Sequence, residues 1–214
     1  MNGAVAAVAL LGLLSACTTL VDGTPQLHVT PGTVQSSFLT LDEVGSLLGT
    51  TLASRTIESE PPPSLSVDPT ACAAAVGPGT QSVYARGWTV FQSATYQDSD
   101  YVSDHTVTQV LGVYSDSSQA GMVFRTLADG LKGCTSAVRT DADQSTSKWT
   151  YSTDSSTSVD VSWTATQDAG DGWACYRRAH LKGRAVVQVA VCGAGDGKQA
   201  ASKIIEKFSE RVSE

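Results

Sequence analysis

The chain has 214 residues and a formal charge of −7, with 21 acidic against 14 basic side chains. That balance excludes a nucleic-acid binder, which needs a basic surface to meet phosphates, and it excludes broad electrostatic adhesion to anionic lipid. The length suits one domain with one core, once a leader is set aside.

Met1 to Ala16 read MNGAVAAVALLGLLSA and hold no charged side chain. The apolar run from Ala4 to Leu14 spans eleven residues, too few for a bilayer helix of about 20 but right for the apolar part of a signal peptide. Leu14-Ser15-Ala16-Cys17 resembles the bacterial lipobox, in which the cysteine receives a diacylglyceryl thioether and becomes the first residue of the mature chain. No Lys or Arg precedes the run, as a start codon placed too far downstream would explain. Residues 1–16 are therefore expected to be a lipoprotein signal peptide, residues 17–37 the lipidated N-terminus and a flexible tether, and residues 38–214 the folded domain. The tether expectation rests on Thr18 to Ser37, which mix Thr, Gly, Pro, Gln and Ser with few bulky side chains.

Order is expected from Leu39. Thr40 and Glu43 have the spacing of a capping box, with Leu39 and Val44 as hydrophobic staple. Leu41, Val44, Leu47 and Leu48 follow helical spacing, and Gly49 is placed to end the helix. A second helix is predicted from Asp116, with the stripe Ala120, Val123, Phe124, Leu127 and Leu131 ending at Gly133-Cys134. A third is predicted from about Asp196, burying Ala201, Ile204, Ile205, Phe208 and Val212. Between them the period changes to two. Val83 to Tyr96, Thr106 to Tyr114, Lys148 to Thr153, Thr157 to Thr166, Ala174 to Leu181 and Ala185 to Cys192 are predicted strands. Their Thr, Val, Trp and Tyr content suggests an antiparallel sheet with one wetted face. The expected fold class is α+β, a twisted antiparallel sheet flanked by about three helices.

Cysteines refine this. Setting Cys17 aside leaves Cys72, Cys134, Cys175 and Cys192, an even set in an exported chain. None has the close spacing of a zinc or redox motif. If Gly183-Arg184 form a two-residue turn with Gly at its first position, Lys182 faces Ala185 and Cys175 falls opposite Cys192. A bridge fits that distance. Cys72 is left with Cys134, and of the three pairings four cysteines allow this is the one expected.

The same residues carry a resemblance. The helix ending Leu47-Leu48-Gly49, Cys72 followed by Gly77-Pro78 and Tyr84, the helix ending Leu131-Lys132-Gly133-Cys134, Trp149, Trp173-x-Cys175 and Val186-Val187-x-Val189-x-Val191-Cys192 together resemble the PknH-like extracellular domain. That domain is the sensor module of a mycobacterial receptor serine/threonine kinase and also occurs in stand-alone lipoproteins. The resemblance spans Ser37 to the C-terminus. It implies a twisted antiparallel sheet with flanking helices, two disulfides paired as above, and a groove for an unidentified ligand. The chain departs from the kinase in showing neither a kinase domain nor a transmembrane helix. It also has Arg184 where Asn is expected in the hairpin turn.

No catalytic constellation is visible. His28 falls in the tether, His105 in a polar loop, and His180 on a wetted sheet face beside Arg178. There is no G-x-S-x-G, H-E-x-x-H or phosphate loop. Asp98, Asp100 and Asp104 lack the glycine and terminal glutamate of a calcium loop, so neither metal nor cofactor is expected. The aromatics are another matter. Alternating strands such as Trp88-Thr89-Val90-Phe91-Gln92 cannot hide every large side chain on one face, so Trp88, Tyr96, Trp149 and Trp163, beside Trp173, are candidates for an exposed binding groove. Arg177 and Arg86 are candidate polar anchors. The expected function is a non-enzymatic, membrane-anchored, extracytoplasmic binding module, its partner a small or lipidic ligand or a cell-surface protein. The alternatives are a lipid or glycolipid carrier and a hydrolase with an unrecognised site.

Overall fold

The computed structural model describes residues 31–212, apart from residues 86 and 142. Cys17, the signal peptide and most of the expected tether lie outside the described residues, as does Arg86.

Nine strands form one wholly antiparallel sheet. They are β1 (Ser54–Glu58), β2 (Ser66–Asp68), β3 (Trp88–Gln97), β4 (His105–Tyr114), β5 (Ser136–Thr140), β6 (Thr146–Ser156), β7 (Asp160–Gln167), β8 (Trp173–Lys182) and β9 (Ala185–Ala194), in the order β1-β3-β4-β9-β8-β7-β6-β5-β2. The helices are α1 (Pro31–Ser37), α2 (Leu41–Leu48), α3 (Ala73–Val76) after a 3-10 turn, α4 (Ser117–Lys132) and α5 (Lys198–Arg211).

Helix signals act as their chemistry requires. Thr40 accepts from the Glu43 amide while Glu43 reaches back to the Thr40 amide, and Gly49 closes α2 in the left-handed region. Asp116 caps α4 by accepting from the Gln119 amide at 2.9 Å. α5 starts one residue later than expected, with Gly197 as its cap and Asp196 accepting from the Lys198 amide. Both long stripes are inward, with Val123 alone half-buried.

Helices cover both faces of the sheet. On the front, α3 and α4 bury Phe124, Leu127 and Leu131 with Phe91, Val110, Trp163 and Val186. On the back, α1, α2 and α5 bury Val34, Phe38, Ile204 and Phe208 with Tyr96, Val107, Val187, Val189 and Val191. A single wetted face therefore does not describe the central strands: seven consecutive residues of β9, Ala185–Val191, are buried. A near-continuous apolar strand is the mark of burial from both sides. Alternation survives in β6, where Trp149 and Tyr151 are buried between exposed neighbours.

Three further differences have local causes. Residues 31–37, expected as tether, form α1: Val34 is buried, Phe38 stacks on Phe208 at 4.8 Å, and the Ser37 hydroxyl donates to the Arg211 carbonyl. β3 begins only at Trp88, because Val83 and Tyr84 close a helical turn on the Thr80 carbonyl and Gly87 takes φ +84°. β7 begins at Asp160, because the Thr157 hydroxyl accepts from the Asp160 amide and makes 157–159 a turn.

The β8–β9 hairpin has the expected register. Gly183 has φ +54°, Lys182 faces Ala185, and Cys175 faces Cys192 with 4.0 Å between their Cα atoms. The bridges are Cys72–Cys134 and Cys175–Cys192.

Candidate functional site

Of the predicted groove residues, Trp163 and Arg177 border one opening, the cleft beneath α5, while Trp88, Tyr96 and Trp149 border none of the three openings described below. Trp163 and Arg177 are cross-strand neighbours on the front, both buried, and both donate to the Ala75 carbonyl at the end of α3, at 3.4 and 2.5 Å. Trp149 is buried on the same face, its indole donating to the Ser147 hydroxyl. Tyr96 is buried on the back, with its hydroxyl donating to the Leu39 carbonyl at 2.5 Å. Trp88 is half-buried on the front, against Phe91. One face does not hold all the large side chains; helices on both faces cover them. Burial also lowers the Arg177 guanidinium to about 10.

A cleft does open beneath the first half of α5, over β6, β7 and β8, with a volume of about 180 Å³. Alternation places Tyr176 and Arg178 on the back of β8, and α5 brings Lys198 and Ser202 over them. Lys198 Nζ meets Asp154 Oδ1 at 2.8 Å, while Thr164 donates to the other Asp154 oxygen at 2.9 Å. Arg178 donates to the Ser202 hydroxyl at 2.9 Å and to Asp160 at 3.1 Å, leaving its buried Nε–H without a partner. The hydrogen bond from Lys198 to Asp154 raises the ammonium pKa, and burial raises that of Tyr176. Arg178 is legible in the sequence beside His180, whereas nothing in the Ser/Thr-rich surroundings of Asp154 marks it. Two other openings exist. One of about 400 Å³ is exposed and runs along α2 to Leu52; one of about 110 Å³ lies between His105 and the Gly193–Gly197 turn.

Beside the cleft, His180 Nε2 lies 2.7 Å from Asp160 Oδ2 and Nδ1 lies 3.0 Å from Ser209 Oγ. His180 is thus roofed by α5 rather than wetted, and burial lowers its pKa. Serine, imidazole and carboxylate in series are the parts of a nucleophilic relay, which also needs donors aimed at a developing oxyanion and room for an acyl group. Ser209 sits within α5, where backbone amides serve the helix, and none of the three openings includes it. The series joins α5 to the sheet, helped by Lys182 Nζ donating to the Ser209 carbonyl. In the acidic loop, Asp98 is held by His105 at 2.8 Å, and no metal-ligating cluster occurs among the described residues.

A family model described as the PknH-like extracellular domain matches residues 29–211. The chain belongs to this family. Among solved structures it is similar to the extracellular domain of PknH from Mycobacterium tuberculosis, with a TM-score of 0.73 and 23% identity, covering 85% of this chain and 97% of that one. At that identity the likeness speaks for the fold. No curated protein matches the chain. As a PknH-like extracellular domain, it has among its described residues no helix long and apolar enough to cross a membrane.

Proposed function

We propose that this PknH-like domain is a non-enzymatic, extracytoplasmic recognition module, held at the membrane by acylated Cys17, that binds a small polar ligand in the cleft under α5. The observation that supports this is the cleft itself, whose walls are fixed by the Lys198–Asp154 and Arg178–Asp160 pairs while the buried Arg178 Nε–H is left to donate. Preformed pockets with a few placed polar groups are the usual form of small-molecule sites. At about 180 Å³ the cleft is below the usual range for drug-sized ligands, which favours one compact polar group. A cleft of that size has no room for a long acyl chain.

The test is native mass spectrometry of the domain purified from its own envelope, beside a Lys198→Glu variant that sets a second carboxylate against Asp154. A polar adduct on the wild type, absent from the variant, is expected. An adduct bearing acyl chains would favour the carrier reading instead. Hydrolysis lost in Ser209→Ala would overturn the non-enzymatic one.

A further inference from the structure

A second surface lies on the front of the sheet, away from the α5 cleft. Cross-strand register aligns Ser54, Gln97, Thr106 and Cys192 in one row, and Thr56, Thr95, Thr108 and Ala190 in the next. The following row starts with exposed Glu58 and continues through Ser93, Val110 and Gln188, already buried beside the α3–α4 layer. In the two outer rows, Thr56 is exposed, and Ser54, Thr95, Gln97, Thr106 and Thr108 are half-buried. The strip bears five hydroxyls and one amide and no ionisable side chain, in a protein of net charge −7. Its spacing is that of any sheet, about 4.8 Å between strands and about 6.8 Å between alternate residues.

Two aromatics border it. The β3–β4 loop carries Tyr101, 97% exposed, beyond Gln97 and Thr106. That loop is internally braced: the Tyr101 amide donates to the Ser99 hydroxyl, Ser103 donates to the Ser99 carbonyl, and Gln97 donates to Ser103. An exposed tyrosine on a braced loop offers its ring at little ordering cost. Half-buried Trp173 lies one row past the Cys175–Cys192 bridge.

We infer that this strip is a binding surface for a neutral oligosaccharide. Hydroxyls and amides are donors and acceptors at once, which matches the hydroxyls of a sugar. A charged ligand would find no counter-ion in the strip, exposed Glu58 at its edge repels anions, and an acyl chain would find no apolar floor. Aromatic rings beside such an array supply the flat apolar contact that the C–H face of a pyranose or furanose takes. The surface is separate from the cleft, so it stands whether or not the cleft binds anything.

The experiment is an NMR titration of backbone amides in the disulfide-intact domain. The probes are maltohexaose and an arabinan hexasaccharide, with a heparin hexasaccharide as anionic comparison. One neutral sugar is expected to shift β3 and β4 resonances. Thr95→Val with Thr108→Val, which keeps shape and strand preference, should weaken binding about tenfold with the melting temperature retained. Tyr101→Ala should weaken it by several-fold, and Lys198→Glu should leave it unchanged. Failure of both neutral sugars to shift these strands, shifts from heparin alone, or undiminished binding by the folded double variant would each overturn the inference.

Discussion

At the scale of single residues, Arg177 is the position where composition and environment disagree most. Its guanidinium is buried on the front of β8, donates to the Ala75 carbonyl, and leaves Nε–H unpaired. No carboxylate among the described residues forms an ion pair with it. A buried cation without a counter-ion costs several kcal/mol relative to a well-packed apolar side chain, which its lowered pKa also expresses. Two substitutions separate packing from charge. Arg177→Met keeps the stem and removes the charge, so stability should stay within about 1 kcal/mol of wild type or rise. Arg177→Ala leaves a cavity and should cost about 2–5 kcal/mol. Urea denaturation of the two variants decides this, and an equal loss in both would show that the charge itself contributes. The sequence marks Arg177 as a candidate polar anchor, but not where it points. Strand alternation tells which residues share a face; it does not tell whether a helix covers that face, and the burial of Tyr96 and Trp163 is not legible for the same reason.

At the scale of elements, what could be read in advance had local causes. The capping box of α2, the Asp116 cap of α4 and the turn at Gly183 each depend on residues within a few positions, so their chemistry is visible in the order of the letters. β1 and β5 have no clear apolar alternation, and β2 is three residues long. Their identity comes from pairing with strands far along the chain, as when Val67 meets Arg139, and no local pattern announces that. α3 is likewise four residues long, set by the Cys72–Cys134 bridge and by the carbonyl that Trp163 and Arg177 share.

One inter-element contact gives a pH prediction. Glu43 caps α2 and also meets Arg211 and Lys207 of α5, chiefly through the Arg211 hydrogen bond, which pulls its pKa from 4.5 to about 2. A carboxylate whose folded pKa is depressed stabilises the fold above its unfolded pKa and loses that contribution as pH falls. For Glu43 the window runs from 4.5 down to about 2. Because the pair is partly open to solvent, its screened contribution is about 1 kcal/mol. Glu43→Gln should therefore melt lower than wild type near neutral pH, and the gap should close as the buffer is taken through that window. The bridges are the other element-scale devices. In the chain-entropy model Cys72–Cys134 contributes about 4 kcal/mol and Cys175–Cys192 about 3. Replacing either pair by serine should show that ranking in denaturant midpoints.

At the scale of the whole molecule, the proposed membrane attachment of an acidic domain needs a physical source. No helix among the described residues can span one, and a net charge of −7 gives no attraction to anionic lipid. Under the proposed function, attachment comes from outside the folded part, and Leu14-Ser15-Ala16-Cys17 after a short apolar run is the feature suited to provide it. A single acyl chain binds membranes only marginally, whereas two give stable anchoring, and a diacylglyceryl thioether supplies two. The expected tether stops short of residue 37, because α1 already belongs to the back layer at Val34. The domain should accordingly sit close to the bilayer, joined by the residues between Cys17 and α1. Wild type should sediment with membranes and stay there in high salt, since no charge pairing is involved. Cys17→Ala should lose the acyl mass in intact mass spectrometry and appear in the non-sedimenting fraction, folded and with both disulfides. Release of wild type by salt alone, or continued sedimentation of Cys17→Ala, would mean that the protein side of the attachment lies in a partner and not in lipid.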